Sequence, residues 1–289
     1  MDQSDGSSNP NFPMGKPYDV GVGHALITMI EPKSGHEVEY NRWYEDDHMF
    51  AGALNLPWCF SARRWVATYD LQNMRLPKPY AMAAESAPQA CYLSTYWIAP
   101  GKLDEHKECS YSVYNRLLAE RRIFFERIHV FTSFQDKVGT IYRDASVPND
   151  IFTLMDPAPG LVLEVLSTTS ENRRGDLLNW LLSLHLPSRV KEHGPVSSAM
   201  VFCSPGNDRM MTQEVKNQLG DVASTANDPC KMTILWFLDK DPREIWNGIF
   251  SAEPELVRQS GQGQLSFMIP FIPAKLGTNK YVDQLRRPS

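Results

Sequence analysis

Tyr40, Tyr44 and His48 are spaced four residues apart in "EVEYNRWYEDDHMF". On a helix, positions i, i+4 and i+8 fall nearly in line, so two phenols and an imidazole are presented together. Arg63 and Arg64 follow in a strand-like stretch, "CFSARRWVATY". Successive strand residues point to opposite faces, so only one of these arginines looks toward that helix. Tyr92 and Tyr96 share one face of "YLSTYWIA", and His129 sits mid-strand in "RIHVFTSF". The chemistry open to this set is proton transfer. A neutral imidazole near its ordinary pKa of ~6.5 takes a proton from carbon or oxygen. Tyr hydroxyls and a guanidinium then hold the enolate or phenolate oxygen that develops. The expected catalytic residues are His48, Tyr44 and Arg64, with Tyr40, Arg63, Tyr92, Tyr96, His129 and Trp43 around the ligand. No cofactor is expected.

A structural role competes at each position. His48 has the alternative of capping the C-terminal part of its helix, where an imidazolium is favoured. The arginines are alternatively charges on a strand edge, His129 a hydrogen-bonded strand residue and Trp43 a core anchor. The run Glu45-Asp46-Asp47 reads as a solvated helix face. With His48 it makes no metal site, because adjacent helical residues point about 100° apart, and no metal is expected. No GxSxG, P-loop or dinucleotide fingerprint is present.

The elements that position these residues occur twice. In "DLLNWLLSLHLP", Trp180 stands five before His185, as Trp43 does before His48, and both pairs are 137 residues apart. Sliding the chain by 137 also lays Ser61-Ala62 on Ser198-Ala199, Trp65 on Phe202, and the run from Ala25 on the run from Val162. Each copy reads strand, helix, strand, strand, helix, strand, the ferredoxin-like split βαβ order. The first helices span about 37–55 and 173–192, and the last strand of the first copy is placed at "RIHVFTSF". Such a sheet carries helices on one face and leaves the other apolar and in need of cover. The fold expected is therefore α+β: two tandem ferredoxin-like βαββαβ repeats whose antiparallel sheets pack face to face into an α+β barrel. Its bounds are a disordered leader at 1–19, repeat 1 at 20–142, a linker at 143–160, repeat 2 at 161–276 and a tail at 277–289. Where the first copy has Tyr40, Tyr44, Arg63 and Arg64, the second has Leu177, Leu181, Met200 and Val201. Repeat 1 is expected to hold the site and repeat 2 mainly to complete the barrel, with His185 structural.

Bulk properties narrow the classes. The 289 residues are 42% hydrophobic and 22% charged, enough to bury a good core. A net charge of −5 gives no electrostatic reason to expect nucleic acid. No apolar run approaches the ~20 residues needed to cross a bilayer, so no membrane partner is expected. The leader lacks the apolar segment of a secretory signal. Cys59, Cys91, Cys109, Cys203 and Cys230 are odd in number without a CxxC pair, which suits reduced thiols in a cytoplasmic location.

The stretch "EYNRWYEDDHMFAGALNLPWCFSARRW" resembles the dimeric α+β barrel superfamily, and most its EthD-type branch. Asn41, Trp43, Tyr44, His48, Leu56, Pro57, Ala62 and Arg64 carry the resemblance; the second copy keeps Asn179, Trp180, His185 and Ala199. Trp58 stands where that family usually has Gly after Leu-Pro. The resemblance implies an apolar pocket in each half. Relatives include polyketide cyclases and dehydratases, muconolactone isomerases, cofactor-free monooxygenases and haem-degrading enzymes, so fold does not settle activity. The leading expectation is a cofactor-independent lyase, dehydratase or isomerase acting on a hydrophobic aromatic or polycyclic oxygenated small molecule. The alternatives are a non-catalytic carrier and a monooxygenase, cofactor-free or haem-dependent, haem requiring an axial histidine. A second copy of the chain stands as a candidate partner. The long connection from Thr68 to Ala90 is expected to act as a lid through Met74, Leu76, Tyr80 and Met82.

Overall fold

The computed structural model describes residues 21–78, 90–144, 150, 154, 158–206, 210–211, 213–219 and 227–287. Repeat 1 runs β1 (His24–Pro32), α1 (Glu37–Trp43, continued by widened turns at Tyr44–His48 and Phe50–Leu54), β2 (Cys59–Val66), a short α2 (Tyr69–Gln72), β3 (Tyr92–Ile98), α3 (Leu103–Ala119) and β4 (Arg127–Tyr142). Repeat 2 runs β5 (Gly160–Ser167), α4 (Arg174–Trp180, continued by a widened turn at Leu181–His185), β6 (Val196–Cys203), α5 (Gln213–Leu219), β7 (Lys231–Leu238), α6 (Pro242–Ile249), α7 (Glu253–Ser260) and β8 (Gln264–Pro273). Local chemistry sets several ends. Asp241 caps α6 by accepting from the Arg243 backbone N–H, with Pro242 in the first turn. Gly261, at φ +64°, ends α7 in the left-handed conformation that only glycine adopts freely.

The eight strands close into one antiparallel barrel in the order β1-β3-β2-β8-β5-β7-β6-β4. Within each repeat the outer strands are the second and fourth, as the split βαβ order requires. Alternation divides each strand. Ile27, Met29 and Trp97 turn inward with Phe202, Phe237 and Phe271 of the other repeat, forming a single core. Trp97 meets Phe202 and Phe237 with ring centroids 6.1 and 6.3 Å apart, so aromatic contacts tie the repeats directly.

The two seams differ. On one side β4 runs on to Tyr142, well beyond the eight residues expected for it, pairing first with β1 and then with β6. On the other, β2 and β8 share only the pairs Trp65–Pro273 and Val66–Ile272. Leu76 extends that seam, exchanging backbone hydrogen bonds of 3.0 and 2.8 Å with Met268. This changes the role expected of the 68–90 connection. Its described part packs into the core, with Leu71 and Leu76 buried, and does not cover the cavity found below. Tyr80 and Met82, like the leader, lie outside the described residues.

The duplication is visible in the backbone, with one correction. The widened turns Tyr44–His48 and Leu181–His185 stand 137 residues apart, and Trp65 and Phe202 both face inward. The same shift fails for the first strands. It would lay inward Ala25, Ile27 and Met29 on Val162, Glu164 and Leu166, which face the helices. A strand has period two, so a one-residue difference in the following loop exchanges the faces.

The tail is part of repeat 1. The Gly277 N–H donates to Glu45 Oε2 (2.7 Å), Asn41 Nδ2 donates to the Thr278 carbonyl (2.9 Å), and Arg286 pairs with Glu31 and Glu37. Within 143–160, Asp150 is tied to repeat 1, accepting from the Val22 N–H and from Lys137 and Tyr142. No helix among the described residues is long and apolar enough to cross a membrane.

Candidate active site

A widened turn explains the Trp-x4-His spacing. In a regular helix, residues five apart point away from each other. Here the Met49 N–H bonds back to the Tyr44 carbonyl and the Leu186 N–H to that of Leu181, closing five residues in one turn. The His48 ring then stacks on Trp43 with centroids 4.3 Å apart and 21° between planes, and His185 lies 4.2 Å from Trp180 with its plane tilted by 30°. The close approach needs Gly52, where a Cβ would lie 2.9 Å from His48 Cε1.

His48 faces a cavity of about 120 Å³ between the outer face of the repeat 1 sheet, its helices and α5 of repeat 2. Leu26, Ile30, Leu117, Phe134 and Val215 give it apolar walls, and Tyr40, Tyr44, Tyr96, Arg127 and His129 bring polar groups to it. The Tyr44 and Tyr96 hydroxyls form a buried hydrogen bond. His129 Nδ1 lies 2.9 Å from Thr132 Oγ1, which is itself 2.9 Å from Thr28 Oγ1.

Electrostatics fix the protonation states. Burial, with the Arg127 charge, holds the imidazoles of His48 and His129 well below their usual range, so both are neutral near pH 7. Burial pushes the Tyr44 and Tyr96 phenols up, keeping them protonated. His48 Nδ1 is buried with no hydrogen-bond partner among the described residues. The unfolded chain protonates both histidines below ~6.5, whereas the folded chain does so only at lower pH. Their neutral burial therefore loses stability as pH falls from about 7 to about 5, by up to ~1.4 kcal/mol per pH unit for each ring. The melting temperature should decline over that range, and less steeply in a His48→Asn/His129→Asn variant. A flat profile in the parent protein would contradict neutral imidazoles.

The expected site residues divide into two sets. Tyr40, Tyr44, His48, Tyr96 and His129 converge on the cavity; Trp43 backs the His48 ring from behind. Arg64, Tyr92 and Arg63 stand off the cavity. Arg64 faces the helix, as one of the two arginines must, but it is sealed there and only 1% exposed. Its Nη1 donates to Asn41 Oδ1 (2.6 Å) and Glu45 Oε1 (2.5 Å), and its guanidinium lies 4.0 Å from the Tyr92 ring. Glu45 is thus buried, contrary to the solvated face expected for it. Arg63 points to the opposite face, 4.6 Å over Trp65, with a 3.5 Å contact to the Ala158 carbonyl.

The residue missed is Arg127. It lies over the Trp43 ring at 4.4 Å, and its buried Nε and Nη1 have no hydrogen-bond partner among the described residues. The signal was available: Arg127 stands two before His129, and strand alternation puts both on one face.

Comparison with known proteins gives fold-level likeness only. No family model matches, and no curated protein matches. Among solved structures, an anthrone oxidase-like protein aligns at TM-score 0.49 and 8% identity, over 89% of this chain and 93% of its own. A candidate monooxygenase from Fusobacterium nucleatum aligns at TM-score 0.41 and 9% identity, over 89% and 94%. A heme-binding protein from Thermus thermophilus aligns at TM-score 0.43 and 11% identity, over 88% and 92%.

Proposed function

We propose that the repeat 1 cavity binds a hydrophobic aromatic molecule bearing a ketone or phenol oxygen and moves a proton on it without a cofactor, in a lyase, dehydratase or isomerase step. The observation that carries this reading is Arg127: a half-buried cation whose buried Nε and Nη1 have no partner among the described residues, beside two imidazoles that burial keeps neutral. Such a cation favours an oxyanion within its reach, and a neutral imidazole is the base that creates one. In the step proposed, a C–H bond next to the carbonyl breaks, the proton passes to His48, and the electron pair becomes an enolate. Arg127 and the Tyr44–Tyr96 pair hold its oxygen. Return of the proton to a second carbon is isomerisation; its delivery to a departing hydroxyl releases water.

Size restricts the ligand. An apolar cavity of ~150 Å³ holds a benzene, so about 120 Å³ encloses no more than one small ring, whose substituents must extend beyond it, and of the aromatic or polycyclic ligands expected from sequence it suits the single-ring ones. A haem does not fit these walls, and no step is derived through one. The test is identification of small molecules that copurify, followed by calorimetry and turnover with phenolic ketones of one ring, in air and in anaerobic buffer. Conversion without oxygen, with binding lost in Arg127→Met, is the expected result. A ligand recovered unchanged would make the protein a carrier, and consumption of dioxygen an oxygenase.

A further inference from the structure

Repeat 2 contains a charged cluster that the proton-transfer site does not use. Glu164 on β5 faces the helices, His185 descends from the widened turn after α4, and Glu253 opens α7. They are 0%, 4% and 0% exposed. One potential ligand atom from each lies within 4.8 Å of the other two. Their far sides are occupied. Glu164 Oε2 accepts from Trp236 Nε1 (2.8 Å), Glu253 Oε2 accepts from Arg189 Nη2, and Arg189 Nη1 lies 3.2 Å from His185 Nδ1. The atoms left over are Glu164 Oε1, His185 Nε2 and Glu253 Oε1, and none has a hydrogen-bond partner among the described residues. His185 Nε2 and Glu253 Oε1 approach to 2.9 Å, yet are not aligned as a hydrogen bond. Native proteins rarely leave one such atom unpaired in the interior, and here three are gathered.

We propose that these three side chains bind a divalent transition-metal ion of the zinc class. Nitrogen and oxygen ligands at ~2.0–2.2 Å from such an ion stand roughly 3.0–3.5 Å apart along an edge of an octahedral or tetrahedral shell, and the His185–Glu253 separation of 2.9 Å lies near the lower end. Imidazole with two carboxylates is a donor set for zinc, manganese and iron. Glu164 chelates through both oxygens to supply a fourth donor, Oε2 still accepting from Trp236. Charge supports the ion. Arg189 pairs with Glu253, and among the described residues no ion pair is made by Glu164. On binding, Arg189 keeps its bond to Glu253 and turns Nη1 toward Ser188 Oγ, 3.5 Å away, so that His185 carries its proton on Nδ1. The ion then joins β5, the α4 turn and α7 at one point.

The experiment uses the full chain, stripped with a chelator and titrated with Zn²⁺ and Co²⁺. Expected are one equivalent bound per chain by elemental analysis and a melting temperature raised by roughly 5–10 °C at ~100 times the Kd. The Co²⁺ form should show weak d–d bands without a thiolate charge-transfer band, which excludes the five cysteines as ligands. Glu164→Gln and, should that variant not fold, His185→Asn should lose the equivalent. The proposal is overturned if the parent protein binds no stoichiometric metal and its melting temperature ignores Zn²⁺, if a folded Glu164→Gln binds as the parent does, or if the cobalt spectrum shows thiolate ligation.

Discussion

Replacing His48 by alanine is expected to lower turnover by ~10²–10⁴, the range for a lost general acid or base, or ~2.7–5.4 kcal/mol of barrier. The fold should persist, because Trp43 keeps its Phe124 stack at 5.6 Å and its hydrogen bond to the Arg122 carbonyl. His185→Ala serves as the comparison. That ring also lies against a tryptophan but meets Glu253 and Arg189, away from the cavity, so its loss should act on stability. Gly52→Ala offers an independent check. Its methyl group would press on the imidazole, so turnover should fall although the base is still present. The measurement is turnover on the converted ligand, paired with thermal melts of all three variants. Full activity in His48→Ala, or equal activity losses at His48 and His185, would remove the assignment of the base.

Arg64→Met should give the largest stability effect, ~3–5 kcal/mol, the usual cost of removing one partner from a buried pair. At ~2–4 °C per kcal/mol for a chain of this size class, the melting temperature falls by roughly 6–20 °C. Glu45 is the residue stranded. In the native protein it accepts from Arg64, Arg42 and the Gly277 N–H, at one junction of α1, β2 and the tail. Without Arg64 its inner oxygen is buried and unpaired. Arg64→Met combined with Glu45→Leu should recover part of the loss, since replacing both charges by apolar groups removes the stranded carboxylate. Molecules of Arg64→Met that remain folded should keep their turnover, because Arg64 does not line the cavity. Urea and thermal unfolding decide the matter: a loss under ~1 kcal/mol would show that this junction does not hold α1 on the sheet.

The sequence by itself determined the repeat, the order of its elements and the residues that could do chemistry. These are local or periodic signals. Alternation marks the strands, the Trp-x4-His spacing recurs at a fixed distance, and the polar residues of copy one stand where copy two is apolar. Alternation also forced one of Arg63 and Arg64 toward the helix. It could not say that Glu45, three residues before His48, would reach back and seal Arg64 from the ligand. That outcome depends on a tail segment more than 230 residues away in sequence.

Only the tertiary structure decided the registers and the depth. A one-residue slip in β5, invisible to a gap-free comparison, turned Glu164 toward His185 and made a charged cluster of what looked like filler. The widened turns, not a regular helical line, brought each histidine onto its tryptophan. Barrel closure extended β4 to the second sheet and brought Leu76 against β8, so the first part of an expected lid became core. In each case the deciding contact lies between residues far apart in the chain. Its free energy comes from burial and pairing that exist only once both partners have been brought together.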